Sequence, residues 1–184
     1  MKDAKTMSRL TIVMYHYVRE LKNSRFPDIN GLELNLFIEQ IEYLRKNYQI
    51  VTAEEVINSI DNGDELPQKA ALLTFDDAYI DHYLYVFPIL DKYKLQGSFY
   101  TPVMTVTENK IMDANKIHYI LASVDEKNKI VKDIQTLLLH YQSEYGLKSF
   151  DYYFKKLARV GRFDSKEEIF IKSLLQGELE KEPR

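Results

Sequence analysis

Residues Ala70-Ala71-Leu72-Leu73-Thr74-Phe75 form a nearly unbroken apolar run that stops at two adjacent carboxylates, Asp76 and Asp77. A run this short, bounded by a polar break, predicts a strand buried on both faces, the kind that belongs to a parallel sheet. In parallel α/β folds the chemistry gathers where strands end and loops begin. Two like charges at such an end repel each other and are costly to desolvate. A metal ion, or a proton held on one of them, offsets that cost. The run therefore constrains both the fold and the place to look for function.

The flanking sequence builds the rest of an α/β unit. Leu10 to Tyr15 predicts a first buried strand, ending at His16 and Tyr17, followed by a turn-rich loop containing Pro27, Asp28, Asn30 and Gly31. Phe37, Ile38, Ile41 and Leu44 recur at helical spacing, with Asn35 as the expected N-cap. Gln49 to Val51 is a brief strand. Thr52 and Glu55 form a capping box for a helix through Val56, Ile57 and Ile60 that closes near Gly63. After the carboxylates, Val86 to Tyr93 predicts a helix with Pro88 in its first turn, starting near Tyr85. Gly97 to Pro102 is a further strand. This order points to a parallel sheet with crossover helices over residues 8–108.

From about Asp113 the pattern turns helical. Stripes at Ile117, Ile120, Leu121 and Val124, at Ile130 to Tyr141, and at Phe150 to Leu157 precede a second capping box, Ser165 and Glu168. Residues 113–176 read as a helical subdomain, and Gly177 to Arg184 as a frayed charged tail. The residues before Met7 read as an unstructured lead-in. The chain has 184 residues, no cysteine and a net charge of -3. Disulfides and thiolate metal sites are thereby excluded, and no basic stripe argues for nucleic acid. No segment approaches the roughly 18 apolar residues of a membrane span. Cytoplasmic is the expected location.

Three elements resemble the NodB-type polysaccharide deacetylases, carbohydrate esterase family 4. They are Ile12-Val13-Met14-Tyr15-His16-Tyr17-Val18, then Leu73-Thr74-Phe75-Asp76-Asp77-Ala78-Tyr79, then Phe87 to Tyr93 running into Gly97 to Val103. The helical stretch from Asn115 resembles an insertion in members linked to bacterial surface polysaccharides. The resemblance implies a distorted (β/α) barrel that hydrolyses an N- or O-acetyl group on a sugar with a divalent metal, typically zinc. It implies that Asp76 is the general base and Asp77 a metal ligand, with His16 and Tyr17 lining the substrate mouth.

The chain departs from that family in two places. Ala78 stands where the family has glycine, at a cost of about 1 kcal/mol if the position needs positive φ. The family's paired histidines, H-[ST]-x-x-H, have no counterpart among His16, His82, His118 and His140. A whole (β/α) barrel needs at least roughly 200 residues, so the chain reads as the front part of one. The sequence therefore predicts weak zinc affinity and little hydrolase activity for the chain alone. It also leaves open a non-catalytic protein, or a half-barrel that pairs with itself or with a completing polypeptide through exposed strand edges. The plainer alternative for the carboxylates is a solvated strand-end pair that caps the next helix; His82 is expected on the turn before that helix, and His118 and His140 are expected to be structural or exposed. A magnesium phosphotransfer site lacks its usual Lys and Ser/Thr companions.

Overall fold

A computed structural model gives the structure of the protein for residues 9–179. The chain divides into two compact units, residues 1–110 and residues 111–184. Each is described by itself. The lead-in before Met7 and the last five residues of the tail lie outside the described residues.

In the first unit, β1 (Arg9–Tyr15), β4 (Gln49–Val51) and β6 (Ser98–Tyr100) all pair in parallel with one central strand, β5 (Lys69–Asp76). A short parallel pair, β2 (Val18–Arg19) and β3 (Leu32–Glu33), lies apart from this sheet. The apolar run thus forms the one strand flanked on both sides. β1 pairs with it from Lys69 to Phe75 on one side, while β4 takes Ala70 to Leu72 and β6 takes Thr74 to Asp76 on the other. On one sheet face Tyr15, Leu73 and Phe75 pack with Phe37, Ile41 and Leu44 of α1 (Leu34–Asn47) and with Leu90 of α3 (Phe87–Tyr93). Each such side chain contributes about 1.5–3 kcal/mol through burial. Gly97 lets the chain enter β6 against this core, since a Cβ there would lie 2.6 Å from the Phe75 ring.

The other face is covered at one end only. Val51, Ala70 and Leu72 pack with Ala53 and Val56 of α2 (Ala53–Asp61). Ile12 and Met14, which share this face by register, are 60% and 61% exposed. A parallel sheet is ordinarily buried on both sides.

Local chemistry explains where the elements begin. α2 starts at the expected capping box, with Thr52 accepting from the Glu55 N–H and Glu55 from the Thr52 N–H. α1 does not start at Asn35. Glu33 occupies the N-cap position without capping, because its carboxylate accepts the Leu21 N–H at 3.0 Å and ties the preceding loop. Asn35 consequently falls inside the first turn. The helix after the carboxylates also begins earlier than the sequence predicts. A π-helical turn, His82–Val86, feeds directly into α3, so Pro88, near the start of α3, lies within a continuous helical stretch and not in a first turn. Helix α4 (Val103–Thr107) closes the unit.

The second unit contains α5 (Asp113–Ala122), α6 (Lys127–Tyr145), α7 (Phe150–Leu157) and α8 (Lys166–Ser173). Their core joins Ile117, Leu121, Val131, Ile134, Leu138, Tyr153, Phe170, Ile171 and Leu174. The Ser165–Glu168 capping box opens α8 as expected. Ile120 and Leu137 point outward, so the stripes are narrower than the spacing suggested. Gly177 and Glu178 are not frayed but complete a second π-helical turn, Leu174–Glu178. No described helix is long and apolar enough to cross a membrane.

Candidate active site

Sheet register assembles the site. Tyr15 pairs with Phe75, so the next residues along the chain, His16 and Asp76, lie side by side at the carboxyl end of the sheet. His16 Nε2 lies 3.8 Å from Asp76 Oδ2, and both side chains reach solvent. On the other side of β5, Asp76 pairs with Tyr100 of β6.

The chain turns sharply after Asp76. Asp77 has φ +73° and Ala78 φ +49°, two successive residues in the left-handed region. Aspartate tolerates this conformation better than alanine does, since its short polar side chain can bond locally. Here it does so. The Tyr79 hydroxyl donates to Asp77 Oδ2 at 2.6 Å. Burial, and next the bond to the Asp77 carboxylate, push the Tyr79 hydroxyl well above the usual tyrosine range.

Three contacts bind this turn to the loop after β1. The Tyr79 ring stacks on Tyr17 with centroids 4.1 Å apart and planes at 19°. The Arg19 guanidinium lies 5.0 Å from the Tyr17 ring centre, and Arg19 Nε donates to the buried Asp81 Oδ2 at 2.7 Å. His82 Nε2 lies 2.8 Å from the His16 carbonyl oxygen. Because a carbonyl only accepts, that nitrogen carries the hydrogen. His82 Nδ1 is buried with no hydrogen-bond partner.

These placements sort the candidate residues. His16 and Asp76 lie side by side at one strand end, and Asp77 follows them in the turn, bonded to Tyr79. Tyr17 is 4% exposed, with Tyr79 stacked on its ring and Arg19 close to it, so its ring is packed into the loop junction and does not form the open lining expected of a substrate contact. His82 is not on a turn: it is helical, 4% exposed, and part of the junction. His118 and His140 belong to α5 and α6 of the second unit. Sequence reasoning gave no role to Tyr79, Arg19 or Asp81. Tyr79 stood within the motif and was open to notice. The Arg19–Asp81 pair spans 62 positions and had no local signal.

The donors present do not make up a metal site. Among the described residues no group of three or more His, Cys, Asp or Glu side chains could hold an ion. Zinc takes at least three protein ligands, and Asp76, Asp77 and His16 do not supply that arrangement here.

No family model matches the chain. The Escherichia coli (strain K12) protein named poly-beta-1,6-N-acetyl-D-glucosamine N-deacetylase is 37% identical over 84 residues, 45% of this chain and 12% of that protein. The Bacillus subtilis (strain 168) protein YxkH, named a polysaccharide deacetylase, is 29% identical over 94 residues, 50% of this chain and 32% of that protein. Among solved structures, a de-N-acetylase from Aggregatibacter actinomycetemcomitans overlaps 55% of this chain and 40% of its own at TM-score 0.46 and 25% identity. IcaB from Ammonifex degensii overlaps 77% and 74% at TM-score 0.43 and 21% identity. Overlaps this loose carry no argument. The matches span no more than about a third of the curated relatives' length, 12% and 32%. Over about half of its length, the chain is similar in sequence to proteins named as polysaccharide deacetylases.

Proposed function

We propose that this chain contributes the carboxylate end of a deacetylase that removes acetyl groups from an N-acetylated surface polysaccharide. The observation that carries the reading is the pairing of His16 with Asp76 at the carboxyl end of the central strand, with Asp77 next in the turn, in a chain similar in sequence to deacetylases. Deacetylation adds the oxygen of water to the acyl carbon, breaks the carbon–nitrogen bond, and yields acetate and an amine. Asp76, partly open to solvent, is the group in this reading that takes the proton from water, a role worth about 10²–10⁴-fold in rate. His16 lines the same opening. Tyr17 supports it from within the loop junction.

Asp77 is the carboxylate that would face a divalent ion. Among the described residues no further donors join it to form a site for that ion. The same gap favours a second reading, in which this chain alone is catalytically silent and acts only with donors from another polypeptide segment.

The test is acetate release by the purified chain, with zinc in excess, from N-acetylated glucosamine oligosaccharides. The expected result is slow release at most, abolished by Asp76→Asn. Rapid turnover that survives Asp76→Asn overturns the assignment.

A further inference from the structure

We propose that Tyr79 is the positioning residue of the carboxylate turn. Its hydroxyl, in place of a cation, holds Asp77 in this chain, and its stacked ring passes that constraint to the loop that carries His16. The importance of Asp77 rests on the functional reading above; the hydrogen-bonded device does not.

Two adjacent carboxylates at a strand end need an opposing donor or cation to offset their repulsion. The described residues gather no donor set for an ion, but they do provide a donor. The Tyr79–Asp77 separation of 2.6 Å falls in the range of about 2.5–2.7 Å typical of a hydroxyl bonded to an ionised oxygen. The bond closes across the turn in which Asp77 and Ala78 both adopt the left-handed conformation.

The ring cannot swing away freely. It lies against Tyr17, which is buried and has the Arg19 guanidinium near its ring, while Arg19 is anchored on Asp81. His82 adds a parallel tie to the His16 carbonyl, and its own ring packs edge-on against Tyr79 with centroids 5.7 Å apart. One side chain thus links the position of Asp77 to the loop that sets His16 beside Asp76.

Carbon-13 NMR at fixed neutral pH reads the device directly. Tyr79→Phe keeps the stacked ring and removes only the hydroxyl. It should shift the Asp77 carboxyl resonance, leave that of Asp76 in place, and lower the thermal midpoint by about 2–4 °C. If Tyr79→Phe does not fold, Asp77→Asn gives the reciprocal reading, a shift of the Tyr79 ring carbon that bears the hydroxyl. The wild-type midpoint should be the same in zinc and in chelator. An unmoved Asp77 resonance, or an unmoved Tyr79 resonance in the reciprocal variant, overturns the proposal. So does a zinc-dependent rise in midpoint that Asp77→Ala removes, since the cation would then be the partner. If these signatures appear while Asp76→Asn leaves acetate release untouched, the catalytic reading fails and the positioning role stands.

Discussion

Replacing Ala78 by glycine should stabilise this protein, against the usual direction for such a change. Ala78 sits at φ +49°, where the Cβ of an L-residue crowds the following carbonyl at a cost of about 1–2 kcal/mol. Glycine removes that cost but loosens the unfolded chain, which returns about 0.4–1 kcal/mol. Ala78 is exposed, so little packing is lost with its methyl group. The balance is a net gain of about 0.8 kcal/mol. Urea unfolding followed by far-ultraviolet circular dichroism should show a higher midpoint with an unchanged slope, because the exposed area does not change. Ala71→Gly is the matched control. That residue is fully buried in an extended strand, and the same substitution there should cost about 1–2 kcal/mol through lost burial and chain entropy. If Ala78→Gly is neutral or destabilising at unchanged slope, the left-handed turn is not strained and the reasoning about this loop is wrong.

Arg19→Met keeps much of the aliphatic stem and strands Asp81, whose side chain is 5% exposed, without its guanidinium. The expected loss is about 3–5 kcal/mol, with a large part recovered by adding Asp81→Asn, measured by urea unfolding. Full stability in Arg19→Met would show that the pair does not hold the loop. Burial pushes the Tyr15 hydroxyl up to about 12, from 10.0 in the unfolded chain. Between those values the unfolded state sheds a proton that the folded state keeps, so the contribution is intact below pH 10 and lost as pH rises through 12. Tyr15 should account for a fall on the order of 1–3 kcal/mol across that window, and Tyr15→Phe should make the profile shallower, the share of Tyr79 remaining. The Phe variant also loses the 3.2 Å bond from the hydroxyl to Gln40, so it should start from a slightly lower plateau.

The strands were legible from their apolar runs, but burial was not: Leu10 to Tyr15 predicted a buried strand, and Ile12 and Met14 lie exposed on its open face. Ala70 to Phe75 read as an interior strand from its length and its polar break, and parallel pairing was expected from the helical spacing of Phe37, Ile41 and Leu44 between strands. Capping boxes at Thr52 and Ser165 were legible because their chemistry is local. The start of α1 was misread because a long-range bond from Glu33 to the loop, not local propensity, decides it. The π-helical turn at His82 was hidden for a similar reason. Spacing fixes helix faces but not an inserted residue, and His82 is held by a backbone carbonyl 66 positions away. In the site, the motif marked Asp76 and Asp77 and raised the question of Ala78, which the positive φ answers. The burial of Tyr17 and the service of Tyr79 depend on how two loops meet, and no single segment carries that information.

The central claim is that Asp76 does its work in polysaccharide deacetylation. The most direct measurement is the free-amine content of the surface polysaccharide in the organism that encodes this chain, before and after Asp76→Asn at the native locus. The account predicts a marked fall in free amines, with acetyl groups retained. An unchanged free-amine content, with the variant chain present at normal abundance, would contradict it.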